Sequence, residues 1–411
     1  MKPAGAIPLG YAADDDFMLR IGGERVDALI AAAGDTPLFV YDAALLAARV
    51  ARLRAAMPGQ LAIHYAVKAN PYPPLVAWMA ALVDGLDVAS AGELHRALDS
   101  GIGAGRISFA GPGKRDRELE AAIVAGTTLN LESAGEADRA LMIADRLGRV
   151  PRLAVRVNPD FDLRGSGMRM GGGAKPFGID AAEVPALIRR LIAAGADWQG
   201  LHIFAGSQAL DAAAIAETQA ATVALAASIA EAVGAVPPLV NLGGGFGIAY
   251  FPGDVPLAVE QVGAALGETL AARAPILAES AFAIELGRWL VGEAGVYLTR
   301  IVDRKTSHGQ VFLVTDGGLH HQLAASGNFG TVVRRNYPIA VANRFGRAVE
   351  EEVSVVGCLC TPLDRLGDQV GLPRADVGDV VALFMAGAYG ASASPAAFLG
   401  HPPAIEMLVG A

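Results

Sequence analysis

Short runs of β-branched and apolar residues alternate with Ala/Leu/Arg-rich stretches over the first two thirds of the chain. The runs fall at 61–68 (LAIHYAVK), 86–89 (LDVA), 107–110 (ISFA), 127–131 (TTLNL), 152–157 (RLAVRV), 198–204 (WQGLHIF), 238–242 (PLVNL) and 281–285 (AFAIE). Each is short enough for a strand covered on both faces, and helical segments such as 91–100 and 182–194 separate them. Eight strand–helix units predict an α/β fold, a closed (β/α)8 TIM barrel over 37–285; the alternative is an open doubly wound sheet. After about residue 290 the texture changes. The runs at 297–306, 310–318, 351–360 and 379–387 are β-rich and are split by Gly, Pro and Asp turns. They predict a C-terminal β-domain over 286–411. Residues 1–36 are expected to pack with it, because Phe17–Ile21 and Val26–Leu29 precede the barrel.

With 411 residues the chain exceeds one ordinary core, and 53% hydrophobic against 18% charged residues suits the large cores of such a fold. A net charge of -9 argues against a nucleic-acid backbone or an anionic membrane as partner. The two cysteines, Cys358 and Cys360, make neither a disulfide framework nor a zinc site, so a cytoplasmic setting is expected. Asp14, Asp15 and Asp16 interrupt the N-terminal region, and no secretory signal is expected. The Ala-rich stretch 211–240 holds Glu217, Gln219, Ser228 and Glu231 and reads as a helix of a soluble protein. Adjacent His320 and His321 point to opposite faces of an extended chain, so no metal is expected.

A barrel of this kind carries its chemistry at the C-terminal ends of its strands. The predicted strands end, in order, at Lys68; at Asp87 and Ser90; at Gly111–Gly113; at Glu132; at Arg156 and Asn158; at His202, Phe204 and Ser207; at Gly243–Gly247; and at Glu285, Gly287 and Arg288. An amine half-buried at a strand end favours its neutral, imine-forming state, although a lysine alone there more often reaches solvent. The run NLGGGFG offers unobstructed backbone N–H groups to a phosphate, although such a run is also a tight strand–helix turn. A carboxylate at 285 suits a protonated pyridine nitrogen, or a surface pair with Arg288.

The motifs HYAVKANP (64–71), LDVASAGEL (86–94), NLGGGFGI (241–248), ELGRWLV (285–291), VTDGG (314–318), CTPLD (360–364) and GAYG (387–390) occur in register over nearly the whole chain. In this order they resemble the fold-type III decarboxylases dependent on pyridoxal 5'-phosphate (PLP), the diaminopimelate and ornithine decarboxylases and their relatives. The resemblance implies a PLP barrel with an alanine-racemase-like β-domain, and a homodimer with shared active sites. It implies Lys68 as the Schiff-base lysine and Asp87 as a neighbouring acid. Arg156, His202, Phe204, Gly287 and Glu285 fall around the ring, with Glu285 on its nitrogen. Ser207, Gly244, Gly245, Arg288 and Tyr389 fall at the phosphate, with Arg288, Thr361 and Tyr389 near substrate. Cys360 resembles the cysteine that the partner subunit supplies to return a proton.

Departures from the family fall on substrate recognition. Phe204 stands where relatives stack a histidine on the ring, and Pro176 stands where they carry an interface lysine. Thr361 replaces the glutamate that meets a distal ammonium. Ala324 and Asn328 replace the arginine and tyrosine that meet a distal carboxylate. A buried ammonium without a carboxylate is costly, so diaminopimelate, ornithine and lysine lose their charge partners. ELGR, VTDGGLHH, LAASG and CTPLD resemble an atypical branch that includes glutamyl-carrier-protein and exosortase-associated decarboxylases. That branch implies a carrier-linked L-glutamyl substrate, over which the loop 164–175, with Arg164, Arg169 and Lys175, closes; a solvated loop is the alternative. Diaminopimelate decarboxylation proper, racemisation and a non-catalytic homologue stay open. Racemases of this fold place an arginine where Glu285 stands.

Overall fold

Eight parallel strands close on themselves: β1 (Ala62–Ala66), β2 (Gly85–Val88), β3 (Ile107–Phe109), β4 (Thr128–Leu131), β5 (Arg152–Asn158), β6 (Asp197–Ile203), β7 (Leu239–Asn241) and β8 (Ala281–Leu286). Each pairs with the next in sequence, and β8 returns to β1 with Glu285 opposite His64. The computed structural model describes residues 1–165, 167–169, 171–327 and 335–411. The predicted barrel is therefore present, and its strands lie within a few residues of the apolar runs. Helices between strands begin and end where the sequence signals them. Ser90 and Ser133 accept the amides of Glu93 and Glu136 at helix starts. Gly126, Gly148 and Gly234 close helices in the left-handed conformation. Among the described residues, Ala212–Val233 is the one helix long and apolar enough to cross a membrane by length and composition. Here it is an outer barrel helix, burying Ile215, Val223 and Ile229.

The barrel belongs to a unit made of Val50–Ile248 and Pro256–Gly287; the second unit comprises Met1–Arg49, Ala249–Val255 and Arg288–Ala411. Its main sheet runs Ile339–Val341, Val380–Leu383, Gly295–Ser307, Gln310–Thr315, Glu351–Val356 and Arg365–Leu372. The strand Leu38–Asp42 pairs with Gly295–Leu298 and, in parallel, with Ile405–Val409. This departs from the sequence boundaries, which put residues 37–49 and 249–255 in the barrel. A fully buried strand, LFVYD, carries the same apolar signature whichever sheet receives it.

One glycine is needed to close the barrel. Between Trp198 and Gly200 the pairing of β6 with β5 shifts by a residue, and Gly200 takes a φ of 114°. A Cβ there would lie 1.9 Å from the Leu239 carbonyl oxygen on β7. Gly200→Ala is expected to destabilise the fold by at least about 2 kcal/mol, from left-handed strain and the backbone clash together. Urea unfolding measures this; an unchanged midpoint contradicts the bulge.

Candidate active site

Lys68 sits two residues past β1, on a 3-10 turn spanning Val67–Ala69. The sequence reading extended the strand to Lys68; instead the chain turns there. The Tyr65 hydroxyl donates to the Asn70 carbonyl at 2.8 Å, and the Asn70 side chain accepts from the Tyr72 amide at 3.1 Å. Pro73 then opens the next helix at its first turn. This knot holds the lysine at the barrel mouth with its side chain 45% exposed. Gly287, after β8, packs against the same turn: a Cβ there would lie 2.7 Å from Ala69 Cβ.

The acid that the Lys68 amine reaches is Glu285, at 3.9 Å. Glu285 is buried, and its Oε2 lies 2.8 Å from His202 Nε2. Burial alone would raise this carboxyl. The His202 hydrogen bond and charge, then Lys68 and Arg156, outweigh it and draw the pKa down to about 2. The carboxylate is thus an enclosed, fixed negative charge. The surface pairing with Arg288 allowed by the sequence does not describe it. Phe204, two residues beyond His202, places its ring centroid 5.4 Å from the Lys68 amine.

Asp87, which the resemblance implied as an acid neighbouring the lysine, makes no ion pair with its amine among the described residues. It faces His64, with Oδ2 and Nδ1 3.2 Å apart but poorly aligned for a hydrogen bond. The register of β1 on β2 sets this, pairing Ala66 with Asp87. Burial lowers the His64 pKa, and the Asp87 carboxylate more than restores it, leaving the imidazole above its ordinary value. Arg156 is likewise committed, donating to Glu132 Oε1 at 2.7 Å. Glu132 also accepts the amides of Gly111 and Gly178, at 2.6 and 2.8 Å. Arg156 therefore acts on Glu285 only through its field.

Two loops at the ends of β6 and β7 interlock. The Ala209 amide donates to Gly245 and the Gly247 amide to Ala209, at 2.9 and 2.8 Å. This brings Ser207, half-buried, beside the glycine run. A Cβ on Gly244 would lie 2.0 Å from the Glu285 carbonyl, and one on Gly245 2.5 Å from the Gly206 carbonyl. Both glycines are therefore obligatory. Their amides donate to no group among the described residues, which leaves two donors for an anion.

In the second unit, Arg288 is held between two tyrosines. Its Nη1 donates to the Tyr250 hydroxyl at 2.8 Å, and its guanidinium lies 4.6 Å from the Tyr389 ring centroid. Arg288 Nε is buried without a partner. Tyr389 takes a φ of 55°, a costly conformation for an aromatic residue. Cys360 is exposed, and Thr361 is half-buried beside it. Ala324 lies on a 3-10 turn, Leu323–Ser326, and Asn328 lies outside the described residues, as do Ser166 and Met170 of the loop 164–175. Arg164 of that loop is exposed, 3.5 Å from Glu217. His64, Tyr250 and the Glu132–Arg156 bond were not singled out from the sequence. His64 shares the inward alternation of Lys68, which was the available signal. Tyr250 had none.

These features fit PLP on their own chemistry. A buried ionised acid matches a pyridinium nitrogen, an amine stands beside it, and free glycine amides match a phosphate. Comparison with known proteins agrees. The pyridoxal-dependent decarboxylase family, in its pyridoxal-binding domain, matches residues 43–292. The L-glutamyl-[BtrI acyl-carrier protein] decarboxylase of Niallia circulans is 37% identical, over 91% of this chain and 89% of that protein. The diaminopimelate decarboxylase of Archaeoglobus fulgidus is 31% identical, over 96% and 92%. The crystal structure of diaminopimelate decarboxylase from M. jannaschii in co-complex with L-lysine superposes with a TM-score of 0.85 at 25% identity, covering 97% of this chain and 92% of that one. The chain belongs to the pyridoxal-dependent decarboxylases; it is a PLP-dependent amino-acid decarboxylase.

The Glu285 charge has a measurable signature. Its folded pKa lies below the ordinary 4.5, so its contribution to stability is complete above that pH and is lost as pH falls toward about 2. Denaturant midpoints of cofactor-free protein over this window should fall more steeply in the wild type than in Glu285→Gln. Parallel slopes contradict the assignment.

Proposed function

We propose that this decarboxylase acts on an amino acid lacking a distal ammonium, of the carrier-linked L-glutamyl type. The observation that carries the reading is Thr361, which puts a neutral hydroxyl where diaminopimelate decarboxylases present a carboxylate. Ala324, an apolar stub, supports it. A site without these charges gives diaminopimelate, ornithine or lysine no compensation for a desolvated head group. The relative acting on a glutamyl carrier protein adds weight, at 37% identity over nearly the full length. Arg164 and Lys175 offer cations to an anionic tether.

Lys68 supplies the amine that would bond the cofactor's aldehyde carbon, and Glu285 would hold the ring nitrogen. Gly244, Gly245 and Ser207 would take the phosphate. When bound, PLP supplies an electron sink for the pair left on Cα as CO2 departs. Glu285, ionised and aligned by His202, would keep a proton on that nitrogen. Phe204 offers an aromatic face to the ring; unlike a histidine it adds no proton-transfer group. Lys68, beside Glu285, would be positioned to accept and return protons. Cys360, exposed on this chain, fits a proton donor supplied to a second copy, so we infer a homodimer. A reducing, cytoplasmic setting suits a chain whose two cysteines are both free.

CO2 release across glutamyl-carrier protein, free glutamate, diaminopimelate, ornithine and lysine tests the substrate. Glutamyl-carrier protein should turn over fastest; faster turnover of free diaminopimelate contradicts the reading. Lys68→Ala should lose both the cofactor's visible absorbance and at least about 1000-fold in rate, and full activity in that variant would remove Lys68 from the chemistry.

A further inference from the structure

Away from these residues, the second unit holds a cluster that no step above uses. His320, Cys358 and His401 each present a ligand atom, and these atoms all lie within 4.8 Å of one another. Cys358 Sγ stands 3.8 Å from His401 Nε2 and 3.9 Å from its Nδ1. The His320 and His401 ring centroids are 5.1 Å apart. We propose that these three side chains form a binding site for a zinc-class divalent cation.

Topology explains how three distant residues meet. Strands Gln310–Thr315 and Glu351–Val356 are parallel neighbours, with Val314 opposite Val356. Residues that follow the two strands therefore emerge at the same edge, His320 from one and Cys358 from the other. His401 precedes Ile405–Val409 on the C-terminal segment.

The orphaned atoms point to a ligand. His320 is fully buried, yet neither of its ring nitrogens has a hydrogen-bond partner. Adjacent His321 is satisfied on both sides, by the Tyr297 hydroxyl at 3.0 Å and the Pro402 carbonyl at 2.9 Å. Two bare nitrogens on a buried ring carry an uncompensated desolvation cost. Cys358 Sγ also lies 3.4 Å from the Asp316 carbonyl.

The surrounding loops are fastened as an outer shell would fasten them. Asp364 accepts the amides of Leu319 and Leu359, at 2.7 and 2.8 Å, so one carboxylate staples the residues next to His320 and Cys358. Gly318 and Gly357 make room for it: a Cβ on either would lie 2.2 or 2.3 Å from that carboxylate. The His321–Pro402 bond fixes the residue after His401 in the same way. Such outer contacts set ligand direction in metal sites. One thiolate and two imidazoles select zinc-like ions, and a tetrahedral site with Zn–S near 2.3 Å and Zn–N near 2.0 Å wants S···N separations of roughly 3.5 Å. The Cys358–His401 spacing needs contraction by a few tenths of an ångström, and the remaining ligand separations lie within 4.8 Å. Two cysteines and an adjacent histidine pair gave no metal signature in sequence, because the third ligand comes from a segment near the C-terminus.

The test uses PLP-loaded protein carrying no histidine tag, dialysed against chelator, then titrated with Zn2+ and with Co2+. The wild type should take up one ion per chain by mass-spectrometric metal analysis and gain thermal stability. Zinc absorption-edge spectra should show one sulfur at about 2.3 Å. Cys358→Ser and His401→Ala should weaken uptake by at least about 100-fold, beyond the loss of an outer contact, and should lose the thermal gain. Cys360→Ser should keep both. Circular dichroism confirms that each variant is folded. No uptake by the wild type, equal uptake by the Cys358 and His401 variants, or loss with Cys360→Ser each overturns the proposal.

Discussion

A carboxylate enclosed in a barrel keeps its charge only where neighbouring cations offset its lost hydration, and the site is organised around meeting that condition at Glu285. His202 bonds one oxygen, and Lys68 and Arg156 add their fields. The same demand recurs outward. Arg156 is itself compensated by Glu132, whose oxygens also take two loop amides. Buried Lys114 pairs with Glu136 at 2.7 Å, and His64 answers Asp87. The barrel mouth is therefore a lattice of opposed charges set by strand register. Such a lattice has its dipoles arranged before any ligand arrives, which is where electrostatic catalysis draws most of its advantage.

The second unit uses different physics. Arg288 is steadied by a hydroxyl and an aromatic face, and among the described residues no carboxylate pairs with it, so its charge stays available to an anion. Tyr389 holds a left-handed backbone beside Gly390, where a Cβ would lie 2.7 Å from the Gln322 side chain. Strain of this kind persists where the surrounding contacts over-determine it. The His320–Cys358–His401 cluster shows the same economy, with Asp364 fixing two loops through one side chain.

The barrel was legible because parallel strands covered on both faces leave continuous apolar runs, and the ends of those runs mark the chemical face. Lys68, Glu285 and the glycine run were found in this way. The same signature hid the fate of Leu38–Asp42, since burial alone does not say which sheet buries a strand. Pairings fixed by register or by long range were not legible. Asp87 faces His64 because β1 and β2 align Ala66 with Asp87, and Arg288 finds Tyr250 38 positions away. Arg156 was read as a cofactor contact; a cation at a strand end does not disclose its bond to Glu132, just past the end of neighbouring β4.

The central claim is that Glu285 stays ionised and keeps the cofactor's ring nitrogen protonated. The most direct measurement is the 15N chemical shift of ring-labelled PLP bound to the wild type and to Glu285→Gln at neutral pH. A pyridinium shift in the wild type that moves to the unprotonated position in the variant is the predicted result. An unprotonated nitrogen in the wild type would contradict the account.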